Sequence, residues 1–189
     1  LLFFSRRLLW VAMLTFFLSI LISAFFRLTR AVMVFWVSAG VLVIVVLVGI
    51  ISDIIGTAVT AAQEEPFHAM ATDRVSGAKK ALFMVRRADK VASFCNDVVG
   101  DICGTVSGAI GSALVIDLVT QYELFQVEDV VSMMVIGLVA AVTVGGKAWG
   151  KTIAISRANY IVLQTAKLLE KGEGLLGLGE NNKRKRARR

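Results

Sequence analysis

Pro66 is the only proline in the chain and His68 the only histidine. With one proline, long stretches are free to stay helical. Pro66 itself marks a break, because it disfavours α conformation at Glu65 and suits the first turn of a new helix. One histidine cannot build a histidine-rich metal cluster. The two cysteines, Cys95 and Cys103, stand eight residues apart. On one helix that is about 12 Å of rise, too far for a disulfide. Nothing therefore points to an oxidising compartment or a thiolate metal site. No nucleophile–base pair stands out, so an enzyme is not expected. No stacking motif accompanies the basic residues, so no nucleic-acid partner is expected.

Apolar sequence is what the chain has in abundance. It is 57% hydrophobic, with a mean hydropathy of +0.74, against roughly 45–50% apolar for an ordinary soluble domain. The runs are long enough to imply an all-α, integral membrane helical bundle of about four spans with juxtamembrane helices. The expected divisions are residues 1–30, a membrane helix or signal anchor; residues 31–171, a transmembrane domain; and residues 172–189, a glycine–leucine linker and basic tail. Of the net charge of +7, six positive charges lie on Lys183, Lys185, Arg184, Arg186, Arg188 and Arg189. The basic balance therefore describes a tail, which anionic lipid headgroups on the cytoplasmic side would attract.

Residues 8–26 form an apolar stretch flanked by Arg6, Arg7 and Arg27. It is long for a signal-peptide core and lacks a clear cleavage site, so it reads as a membrane helix or an uncleaved anchor. Residues 31–51 read as a second span. Their Val and Ile would favour a strand in water, but an isolated segment in lipid must satisfy its own backbone as a helix. Asp53, Thr57 and Thr60 follow, and then Gln63, Glu64, Glu65 and Pro66 form an acidic break. Residues 67–90 carry Arg74, Lys79, Lys80, Arg86, Arg87 and Lys90, which places them on the cytoplasmic side. The expected role of these charges is a solvated face; lipid or partner binding is the functional alternative.

Residues 96–118 put Gly100, Gly104, Gly108 and Ser112 on one stripe at helical spacing, which predicts close helix packing. Asp97, Asp101 and Thr105 run beside it. A carboxylate costs about 2.5–3.5 kcal/mol at a bilayer centre, so these acids read either as cation ligands or as residues near a helix start. Residues 119–129 hold acids and no Lys or Arg, as expected outside. Residues 130–144 return as the last span, and residues 152–171 suggest an amphipathic helix. Four spans would put both termini in the cytoplasm of a plasma or inner-membrane protein. Gly145 to Thr152 matches the phosphate-loop pattern, but it follows a membrane helix and not a strand, so a nucleotide is not expected. Glu64 and His68 are four apart, which makes two potential ligands and no metal site.

The order of parts resembles the transmembrane domain of the cyclin M/CorC (CorB-type) magnesium and cobalt transport family. The likeness runs from about Asp53 to Ile161. Glu65 to Ala71 resembles that family's S-E-x-A-L segment. Gly77 to Ala81, and Gly100 with Asp101, resemble its G-x-x-x-A and G-N elements, and Gly146 to Thr152 its G-E-x-x-P-K-T segment. Asp101 stands where the family has Asn, Lys147 where it has Glu, and Gly150 where it has Pro, and the chain ends without room for the nucleotide-sensing domain that usually follows. The resemblance implies Mg²⁺ as a transported or sensed ion, held between membrane helices of a homodimer. It implies Glu64 or Glu65 and Asp101 as ligands; Asp53 and Asp97 join them on burial cost alone. The alternative is a membrane scaffold or regulatory subunit with no ion pathway.

Overall fold

A computed structural model describes residues 9–10, 12–22, 24, 35–122 and 128–175, and no strand occurs among them. The helices in chain order are α1 (Ala12–Ile22), α2 (Phe35–Ala61), α3 (Glu64–Thr72), α4 (Ala78–Val85) and α5 (Ala88–Ala92). A π-helical segment (Ser93–Gly100) then runs into α6 (Asp101–Tyr122), followed by α7 (Glu128–Ser156) and α8 (Ala158–Leu175). Among the described residues, three helices are long and apolar enough to cross a membrane: α2, the continuous run Ala88–Tyr122, and α7. Four spans were expected. α1 is apolar but shorter, and the ends of the stretch predicted at 8–26 lie outside the described residues.

The described residues fall into two compact units, one drawn from 1–53 and 94–150, the other from 54–93 and 151–189. In the first unit, Val98, Ile102, Val106, Ile110 and Leu114 recur every fourth residue and form the buried face, with Phe35, Ala39, Leu42, Val45 and Ile22 packed against it. Within the chain, the packed face is this branched one and not the small-residue stripe at Gly104 and Gly108. Gly104 and Gly108 are exposed, and a Cβ at either would meet nothing within 4 Å. Bulky side chains make more packing contacts than a glycine row, so the branched face turns inward. The small residues instead leave an apolar groove of about 170 Å³ between α6 and α7, lined in part by Gly104, Gly108, Gly111, Val139 and Ala140.

In the second unit, Phe67 and Val59 are fully buried among Ala58, Ala81, Met84, Ala154, Val162 and Ala166. The break expected at Pro66 is present: α2 ends at Ala61 and α3 begins at Glu64. Pro66 lies in the first turn of α3, where its missing N–H would have had no helical partner. Gly77 is required by conformation and by space. Its φ is +81°, and a Cβ there would lie 2.9 Å from the Lys167 backbone nitrogen. The Glu170 carboxylate closes this turn, accepting from Gly77 N at 2.6 Å and Ser76 Oγ at 2.9 Å. A carboxylate on free N–H groups at the start of α4 is favoured by the helix dipole.

The amphipathic helix predicted from residue 152 begins at Ala158, after a break at Arg157, because α7 continues to Ser156. Ala158, Val162 and Ala166 form its buried face, and Leu169 is exposed. Gly172 and Gly174, expected in a linker, belong to α8. The rest of that linker and the basic tail lie outside the described residues.

Candidate functional site

Among the described residues of the first unit, two glycines on different helices make close approaches, and Gly100 makes an ordinary contact. A Cβ at Gly49 of α2 would lie 2.9 Å from Cys103 Cβ on α6. One at Gly146 of α7 would overlap Ile50 Cδ1 of α2. One at Gly100, where the π-helical segment meets α6, would lie 3.4 Å from Lys147 Nζ and 3.5 Å from the Cys95 carbonyl oxygen. Gly49 and Gly146 thus let α2 pack closely against α6 and α7 at one level, for the reason small residues serve membrane interfaces generally.

Polar groups gather at this level. Ser52 and Asp53 are buried, at 8% and 5% exposed. Ser52 Oγ donates to the Cys95 carbonyl at 2.8 Å. That carbonyl lies in the π-helical segment, whose wide turns leave backbone groups displaced from ideal α pairing and which is a common feature of functional sites. The next residue, Asn96, has its Oδ1 buried with no hydrogen-bond partner among the described residues. Half-buried Lys147 brings an ammonium to the same place, against the bare backbone at Gly100. The arrangement offers one buried carboxylate, hydroxyl and amide oxygens, and one fixed cation.

The residues predicted as ligands are distributed differently. Asp53 is at this level. Asp97 and Asp101 are exposed. Asp101, with Thr15, Ser19 and Thr105, lines a cavity of about 380 Å³ between α1 and α6. The helix-start role for Asp97 and Asp101 is not what the backbone provides. Helical turns run unbroken from Ala88 through the π-helical segment to Tyr122, so no set of free N–H groups exists there to cap.

Glu64 and Glu65 occupy the first turn of α3 in the second unit. Glu64 accepts from Arg86 Nε at 3.1 Å and lies 3.4 Å from His68 Nε2. The Arg86 hydrogen bond holds its carboxyl below the usual carboxylate value, against a smaller opposing effect of burial, with His68 adding to the lowering. Glu65 is exposed. Among the described residues no group of three or more His, Cys, Asp or Glu is gathered to hold a metal ion.

Gly145 to Thr152 lies wholly inside α7. Its backbone N–H groups are engaged in the helix, so the stretch has no loop with which to cradle a phosphate. Single-helix spacing did not expose Gly49, Gly146 or Ser52, because the pattern they make exists only across helices. No family model matches the chain, and neither do any of the curated proteins or solved structures.

Proposed function

We propose that the chain is a multi-pass membrane protein of the divalent-cation transporter type, moving or sensing Mg²⁺ through a polar site between its long helices. The observation that carries this reading is buried Asp53, beside the Ser52–Cys95 hydrogen bond, where Gly49 and Gly146 let α2 approach α6 and α7. Asp53 lies about 27 Å along α2 from Phe35, and Lys147 about 29 Å along α7 from Glu128, near one edge of a hydrocarbon core of roughly 30 Å. At an edge the insertion cost is smaller than at the centre, so it is the burial of Asp53, 5% exposed, that marks it as a candidate functional group. Carboxylate, hydroxyl, amide and backbone oxygens suit Mg²⁺, which keeps several waters and needs few protein ligands.

Asp53 would attract the ion. Ser52 and Asn96 would supply neutral oxygens, and Asp101 would serve a separate acidic cavity beside α1. The order of parts agrees with the cyclin M/CorC resemblance: apolar helix, acidic break, basic short helices, two further apolar helices, amphipathic helix. α1 would complete a fourth crossing and return both ends to the cytoplasm. A second copy would cover the open groove at Gly104 and Gly108. A second reading, a regulatory subunit or scaffold without an ion pathway, is favoured by Lys147, whose ammonium is a tethered cation at the same level. Mg²⁺ flux into liposomes tests the two. The transporter reading expects flux that falls at least tenfold in Asp53→Asn. The scaffold reading expects none in wild type and a stable co-purifying partner.

A further inference from the structure

The short helices sort their cations into two groups. Lys80 Nζ pairs with Glu173 at 2.6 Å, and Arg86 is held by Glu64. Lys79, Arg87 and Lys90 are exposed and make no ion pair among the described residues. α4 accounts for the difference. It turns Ala78, Ala81 and Met84 inward, and leaves Lys79 and Phe83, one turn apart, on the outside. Phe83 is 53% exposed, and the Arg87 guanidinium lies over its ring, 4.4 Å from the centroid. The contact puts ring and cation on one face and holds the guanidinium in place.

An exposed ring flanked by exposed cations matches the boundary layer of a bilayer. There the ring reaches the acyl region and the cations meet lipid phosphates. Chain connectivity supplies the location. α2 ends at Ala61 and the next long apolar run begins at Ala88, so on the membrane reading α4 is tethered between two span ends at one surface. We propose that the α4 face marked by Lys79, Phe83 and Arg87 binds anionic phospholipid headgroups. The proposal rests on the multi-pass reading above and assigns the exposed charges a ligand in place of bulk water. Each cation lost is expected to weaken the preference for anionic over zwitterionic lipid about fivefold at low salt, and 1 M salt is expected to screen most of it.

The test uses the full chain reconstituted in vesicles, with Phe83→Trp as reporter and the native Trp10, Trp36 and Trp149 as background. Brominated phosphatidylglycerol should quench the added tryptophan more than an equal fraction of brominated phosphatidylcholine does. Adding Lys79→Gln, Arg87→Gln and Lys90→Gln should remove the difference while the basic tail stays intact. Equal quenching by both lipids, unchanged by the charge substitutions, would overturn the anionic-lipid assignment. No quenching at position 83 while the native tryptophans are quenched would place α4 in water or against protein, and would overturn it as well. If the native tryptophans also escape quenching, the multi-pass reading itself fails.

Discussion

Glu64 carries a pH dependence whose direction its neighbours set. The hydrogen bond from Arg86 lowers its pKa below the ordinary 4.5. A carboxylate lowered in the folded state adds stability above its unfolded value, and that stability is lost as pH falls through the lowered value. Thermal melts between about pH 6 and pH 3 should show wild type losing more stability on acidification than Glu64→Gln. The side chain is solvent-exposed, so the difference should shrink in high salt. Gly77 supports a larger expectation. Ala there must take a left-handed conformation and push against the Lys167 backbone, so Gly77→Ala should cost about 1–3 kcal/mol, read as a lowered melting temperature. Pro66 and Asp53 were legible as single residues, because a proline's geometry and the cost of burying an acid belong to the residue itself. The partner of Glu64 was not, since Arg86 is 22 positions away and meets it only through the turn at Gly77.

At the scale of the element, apolar length alone identified most of α2 and α6 and about half of α7. The π-helical segment was not legible, because the residues from Ser93 to Gly100 carry no pattern that distinguishes a wide turn from an α turn. Nor was the continuation of α7 beyond Gly146, since the glycine-rich stretch to Thr152 matches a loop pattern. In an apolar surrounding the backbone keeps its own hydrogen bonds, and Gly146 is there to let Ile50 approach. The glycine row on α6 was read only in part for a related reason: spacing along one helix does not say which glycines another helix of the same chain touches. A contrast follows. Gly49→Val and Gly146→Val should each destabilise by about 1–3 kcal/mol through overpacking. Gly104→Ala and Gly108→Ala should be neutral, or stabilise by up to about 1 kcal/mol through helix propensity. Thermal shifts of the four variants in one detergent check this. Equal losses at all four positions would contradict the assignment of the close approaches.

For the whole molecule, the alternation of basic and acidic connections predicts sidedness. The segment carrying Lys79 should lie on the cytoplasmic side, and the start of α7 at Glu128 on the other. With Cys95 and Cys103 replaced by alanine, an impermeant thiol reagent should label Lys79→Cys and Glu128→Cys from opposite sides of sealed vesicles; labelling from one side would break the topology. The central claim is that the level around Asp53 is a cation site. Calorimetric titration of the purified chain with Mg²⁺, wild type against Asp53→Asn, tests it most directly. Saturable binding in wild type that weakens at least tenfold in the variant is the predicted result. No binding above background in wild type, or equal binding by both proteins, would contradict it.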